Sequence, residues 1–231
     1  RVHEIRRINP DPKQIKQAAE LIKTCKQPII ISGGGTLYSE AEDELSMFAK
    51  KHNIPVTQTM MGIGVMDKDD PYNIGPIGCL GVGSSNSLSN DTDLALAVGT
   101  KLGDFTTGSW GNFHNPDFKL VSINTTRFDV TKHLATPVVS DAKLGLNALS
   151  KILGQWRATD QWYQRGVKEK KEWDQYVEDE SGPTNQELPS YAHAVGAVYR
   201  NADPSDIVVT AAGGLVGETV QIWKPKQRNT F

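Results

Sequence analysis

The chain has 231 residues, 38% of them hydrophobic and 23% charged, with a formal net charge of −2 at pH 7. That length can bury a sizeable core without staples, and the near-balanced charge gives no electrostatic reason to propose nucleic acid or an anionic membrane as partner. No apolar run approaches the roughly 20 residues of a membrane-crossing helix. The opening Arg1-Val2-His3-Glu4-Ile5-Arg6-Arg7 is not read as a signal peptide, because no apolar stretch follows its charges. It begins with Arg rather than Met, which raises the expectation of a piece cut from a longer chain. Two distant cysteines, Cys25 and Cys79, read as unpaired thiols of a reducing, cytoplasmic compartment.

In chain order, Asp11-Pro12 predicts a helix start, and Ile15, Ala18, Ala19, Leu21 and Ile22 give that helix an apolar stripe. Pro28 ends the helical region, and Ile29-Ile30-Ile31 reads as a strand buried on both faces, as in a parallel sheet. Gly33-Gly34-Gly35 turns the chain. Ser39 is expected to cap a second helix with Leu45, Phe48 and Ala49 inward. Further strands are predicted from Ile54, at Leu94–Gly99, at Leu120–Ile123 and at Pro137–Ser140, and Asp141 caps a helix carrying Leu144, Leu146, Leu149 and Ile152. This alternation predicts an α/β domain over 1–154: an open, mostly parallel, Rossmann-like sheet with helices on both faces.

Residues 155–187 read as a helical linker whose tryptophans, Trp156, Trp162 and Trp173, pack it onto a neighbouring domain. Residues 188–231 read as the truncated beginning of a second α/β domain: a helix over Pro189–Asn201, a strand at Ile207-Val208-Val209 and a turn at Gly213-Gly214.

Chemical motifs are sparse. Gly33–Gly35 lacks the third glycine of a dinucleotide fingerprint, since Tyr38 stands there, and a tight strand-to-helix turn is the favoured reading. Gly103-Asp104 with Asn124 imitates a magnesium motif but has Phe105 where a glycine belongs. The five histidines, His3, His52, His114, His133 and His193, show no metal-ligand spacing. His114 is placed in a loop after a strand end, the sheet edge that ligands favour, with a structural role the more expected one.

Several segments carry a resemblance. Ile54-Pro55-Val56 with Thr59, then Gly62-x-Gly64, then Gly75, Gly78 and Gly81, resemble the central domain of thiamine pyrophosphate (TPP) enzymes such as acetolactate synthase. So do Asp93–Leu102, Asp104–Gly108 and Ser140-Asp141-Ala142-Lys143. Ile123-Asn124-Thr125 departs from the acidic pattern of the acetolactate synthases themselves. Thr107–Phe113 and Thr210–Leu215 are similar instead to the trihydroxycyclohexanedione hydrolase family of myo-inositol catabolism.

The resemblance implies a Rossmann-like (DHS-like) fold, with 188–231 opening the C-terminal TPP-binding domain. It also implies an intact enzyme that uses TPP and Mg2+ to cleave a C–C bond of a cyclic 1,2-diketone, as a cytoplasmic homodimer or homotetramer. The family's activating glutamate and Mg2+ motif would lie outside this chain, so no catalytic residue and no metal ligand is assigned. The fragment alone is expected to be inactive and to bind no cofactor. One cofactor contact is carried over, the turn Ala212-Gly213-Gly214-Leu215 against the TPP diphosphate, with a plain strand-to-helix turn as its equal. The competing functions are an acetolactate synthase-like or decarboxylase TPP enzyme, and a nucleotide-binding module for ADP or FAD without TPP chemistry.

Overall fold

The structure, a computed structural model, describes residues 4–231. His3 lies outside the described residues. Six strands form one parallel sheet: β1 (Pro28–Ser32), β2 (Val56–Gln58), β3 (Asn73–Pro76), β4 (Leu94–Val98), β5 (Lys119–Asn124) and β6 (Thr136–Val139). Their spatial order is β3-β2-β1-β4-β5-β6, every neighbouring pair being parallel. The ten helices of the described residues are α1 (Pro12–Lys23), α2 (Gly34–Tyr38), α3 (Glu42–His52), α4 (Gly83–Asp91), α5 (Asp104–Thr107), α6 (Arg127–Val130), α7 (Ala142–Leu153), α8 (Asp160–Ser181), α9 (Tyr191–Asn201) and α10 (Gly214–Ile222).

The sheet is buried on both faces because its strands are apolar at odd and even positions alike. Ile30, Val56, Leu94, Leu96 and Val98 point to the face covered by Ile15, Ala18 and Ile22 of α1, Leu45 and Phe48 of α3, and Leu146 and Leu149 of α7. Ile29, Ile31, Ala95 and Ala97 point the other way, toward Leu88 of α4 and Trp162 of α8. On that second face the β4-to-β5 connection supplies only the four-residue α5 and a loop, whose Trp110 and Phe113, with Phe118 at its end, pack against the core in place of a long helix. The two flanking helices begin where their caps dictate. The Asp11 side chain accepts from Lys13 N at 2.7 Å, and that of Asp141 from Leu144 N at 3.1 Å.

Helix α8 has 22 residues and lies against the sheet. Trp162 is 2% exposed, and its Nε1–H donates to the Pro28 carbonyl at the start of β1 over 2.8 Å. Tyr163 stacks on Tyr72 with centroids 4.5 Å apart. The connection into α8 is held by the end of α3: Asn53 Nδ2 donates to Ala158 O at 3.2 Å and to Asp160 at 3.0 Å, and His52 Nδ1 lies 2.7 Å from Trp156 O.

Three expectations are corrected. Ser39 caps no helix: it ends α2, and α3 starts after Ala41, because the Ser39 hydroxyl is taken by the Asp141 carboxylate, which also receives Arg7 at 3.0 Å. Strand β3 was not anticipated. Ile207-Val208-Val209 forms no strand, since no neighbour supplies a ladder; Val208 N–H instead donates to Thr230 O at 2.9 Å.

Candidate functional site

In an open parallel sheet, ligands favour the crevice where the strand order reverses, at the carboxyl ends of the strands. Here that place lies between β1 and β4, and backbone fills it. A Cβ built on Gly33 would stand 2.6 Å from Gly99 O, and one on Gly35 2.7 Å from Gly99 Cα. Gly99 itself sits at φ 60°, with its own Cβ position 2.7 Å from the Gly35 backbone. Gly33 N–H donates to Val98 O and Gly35 N–H to Gly99 O, each at 2.9 Å. Two of the N–H groups that would cradle a phosphate are therefore already used, and the glycines serve close loop-to-loop contact.

The turn Ala212-Gly213-Gly214-Leu215 is exposed and opens α10. Gly213, at φ 147°, has open space where its Cβ would be, while Gly214 faces the Tyr191 ring at 3.3 Å. No side chain caps the helix, and first-turn N–H groups have no partner inside a helix. The structure brings none of the other sequence-singled residues to this turn.

Gly103-Asp104 and Asn124 do not build a metal site. Asp104 is exposed, and the Asn124 amide serves local turns, donating to Thr100 O at 3.1 Å and accepting from Thr126 N at 3.0 Å. Among the described residues no three of His, Cys, Asp and Glu cluster to hold a metal. His114 is corrected: it shares a shallow hollow with Gln27, Asp91 and Asn115, residues that precede β1, β4 and β5, and so lies at the amino edge of the sheet. Cys25 and Cys79 are both unpaired, and burial pushes the Cys25 thiol upward from its ordinary value.

One feature escaped sequence reasoning. A cavity of about 50 Å3 lies between the β2–β3 end of the sheet, α8 and the segment after α10. Gln58 and Asn73 line it and bond each other at 2.7 Å. Lys170 and Lys224 line it too, both holding Asp174, at 2.6 and 2.5 Å. Burial alone would raise the Asp174 carboxyl, but the hydrogen bonds and charges of the two lysines carry it below the ordinary carboxylate value. The one sequence signal that could have pointed to it is the spacing of four between Lys170 and Asp174 along α8.

An all-parallel sheet of this order, covered on both faces and closed at its switch point, defines the doubly wound class of enzyme domains. Within that class, the chain belongs to the central-domain family of thiamine pyrophosphate enzymes. The family model described as "Thiamine pyrophosphate enzyme, central domain" matches residues 15–149. Among similar curated proteins, the 3D-(3,5/4)-trihydroxycyclohexane-1,2-dione hydrolases of Geobacillus thermodenitrificans and Clostridium tetani are 33% and 34% identical over 100% of this chain. That of Lacticaseibacillus casei is 30% identical, again over 100% of the chain. The chain spans 39–40% of the length of these relatives. Among the described residues no helix is long and apolar enough to cross a membrane.

Proposed function

We propose that this chain is the central part of a TPP-dependent hydrolase that cleaves a C–C bond of trihydroxycyclohexanedione, a cyclic 1,2-diketone of inositol catabolism. The observation that carries the reading is similarity running through the whole chain to proteins of that one name. The intact enzyme works in the cytoplasm as a homodimer or homotetramer. When bound, TPP supplies an electron sink for the breaking C–C bond.

The described residues do not fit a magnesium site: no cluster of acids is present, and Asn124 is engaged locally. Magnesium and the catalytic groups belong to other parts of the longer enzyme. What this chain offers TPP is the Ala212-Gly213-Gly214-Leu215 turn, whose uncapped N–H groups suit one anionic oxygen. The sheet's own work is mechanical. Its interlocked loops and covered faces hold α8 and the C-terminal helices in place.

The complete gene product carrying these residues, supplied with TPP and Mg2+, is expected to open the cyclic diketone with consumption of one water per ring. The 231-residue chain is expected to turn over nothing. A complete product that leaves the diketone intact but condenses or decarboxylates pyruvate would move the enzyme to the acetolactate synthase-like alternative.

A further inference from the structure

The cavity between the β2–β3 end of the sheet, α8 and the segment after α10 has an unbalanced wall. Gln58, Asn73 and Ser84 are already paired, and the Gln221 amide also lines the cavity. Gln58 bonds Asn73 at 2.7 Å and accepts from Gly64 N at 2.9 Å, and Asn73 Nδ2 donates to Asp67 O at 3.1 Å. The Ser84 hydroxyl donates to Ile74 O at 2.8 Å. What remains, beside the Gln221 amide, is donor capacity. Trp173 lines the cavity, and its Nε1–H is buried without an acceptor. Lys68, Lys170 and Lys224 line it with one carboxylate, Asp174, while Lys68 is already paired with Asp69 outside the lining. Lys170 and Lys224 each place one ammonium on Asp174, leaving further N–H donors and a net positive wall. A buried donor left unmatched is costly, so such sites take up an acceptor.

The remaining lining is mostly apolar, including Ile63, Val82, Val220 and Trp223. A site of about 50 Å3 exceeds the minimum for one water but is too narrow for a sugar or a nucleotide. We propose that this cavity binds a small monovalent carboxylate, whose oxygens accept from Trp173 Nε1–H and from the ammonium groups of Lys170 and Lys224. The Trp173 ring packs on Gly83, where a Cβ would stand 2.6 Å from Cε3, so the ring is held in position before the anion arrives. Because Lys224 follows α10 while Lys170 and Trp173 belong to α8, the anion bridges the two C-terminal layers of the chain.

The test uses the 231-residue chain with 15N-labelled tryptophan. It carries five tryptophans, and their indole N–H resonances are assigned by single Trp→Phe variants. Sodium formate is titrated against sodium gluconate, which is too bulky to enter, at constant ionic strength; chloride and inorganic phosphate form parallel arms. The Trp173 resonance is expected to move saturably with formate. Lys224→Met should weaken the apparent affinity at least about tenfold, the loss of one charge-assisted hydrogen bond, and Lys224→Arg should recover most of it. The other four indole resonances report that each variant is folded. Should Lys224→Met unfold the chain, Lys170→Met is read in the same way. A linear, unsaturable shift, or a saturable one indifferent to both lysine substitutions, means that water fills the cavity and overturns the proposal. Saturation by phosphate or chloride but not by formate overturns the carboxylate assignment.

Discussion

Trp162→Ala is the substitution that most directly asks whether α8 belongs to the folded core. The side chain is 2% exposed and lies among Ile29, Ile31, Ile74 and Leu88. Truncating a buried tryptophan costs about 3–5 kcal/mol, the spread reflecting how far the site can collapse. Removing the Nε1–H donor to Pro28 O adds about 1 kcal/mol. The sum is about 5 kcal/mol, and Trp162→Phe, which keeps most of the ring, should lose only about 1–2 kcal/mol. For a chain of this size the alanine variant corresponds to a fall in melting temperature of roughly 10–20 °C. Urea unfolding followed by far-UV circular dichroism reads both variants, with the slope against denaturant checked for constancy. A loss below about 1 kcal/mol for Trp162→Ala would refute the reasoning, because α8 would then be a tether that unfolds apart from the sheet.

Further outcomes are expected. His52 is fully buried, its Nε2 3.0 Å from the Ser150 hydroxyl, and burial holds its pKa below the ordinary 6.5 despite the Trp156 carbonyl. The folded state thus keeps it neutral while the unfolded chain protonates, so stability is complete above about pH 6.5 and falls as pH drops below it, by up to about 1.4 kcal/mol per unit; unfolding midpoints of His52→Gln should lack that part of the slope. Arg7→Met strips the cation from Asp141, whose side chain is 6% exposed, and should cost about 2 kcal/mol in a urea titration, less than a fully buried pair because Arg7 is partly solvated. Gly99→Ala should cost at least about 2 kcal/mol, from left-handed strain plus the clash with Gly35. Gly108→Ala, at a similar φ of 59° with no neighbour closer than 3.5 Å, should cost only about 1 kcal/mol in the same assay. Calorimetric titration of the chain with TPP and Mg2+, and separately with ADP, FAD and NAD, should show no heat of binding; micromolar affinity for TPP would contradict the assignment of its site to other parts of the enzyme.

Much of the sheet was legible because Ile29–Ile31, Leu94–Val98 and Leu120–Ile123 are apolar on both faces, a pattern with few other uses. Strand β3 was hidden because Asn73-Ile74-Gly75-Pro76 carries one large apolar side chain and two residues that normally break strands; its place beside β2 comes from pairing at the edge of the sheet. Ile207–Val209 erred in the opposite direction, since branched residues favour a strand only where a neighbour offers a ladder. Ser39 had the chemistry of a cap, but a carboxylate more than a hundred residues away claimed its hydroxyl. The cavity could not have been read in advance, because Gln58, Lys170 and Lys224 meet only once three separate elements have packed.

Helix α8 is seated near one end by Trp162 on β1 and tied near the other by Asp174 to Lys224 beyond α10. The twenty residues from Trp162 to Ser181 run about 28 Å along one rigid axis. A pivot of about 10° at the tryptophan would carry the far end roughly 5 Å sideways, comparable to one helical turn. Helix α4 clasps that axis midway, Ser87 Oγ donating to Glu169 at 2.9 Å, so the central sheet sets where the C-terminal helices begin through one long, braced strut.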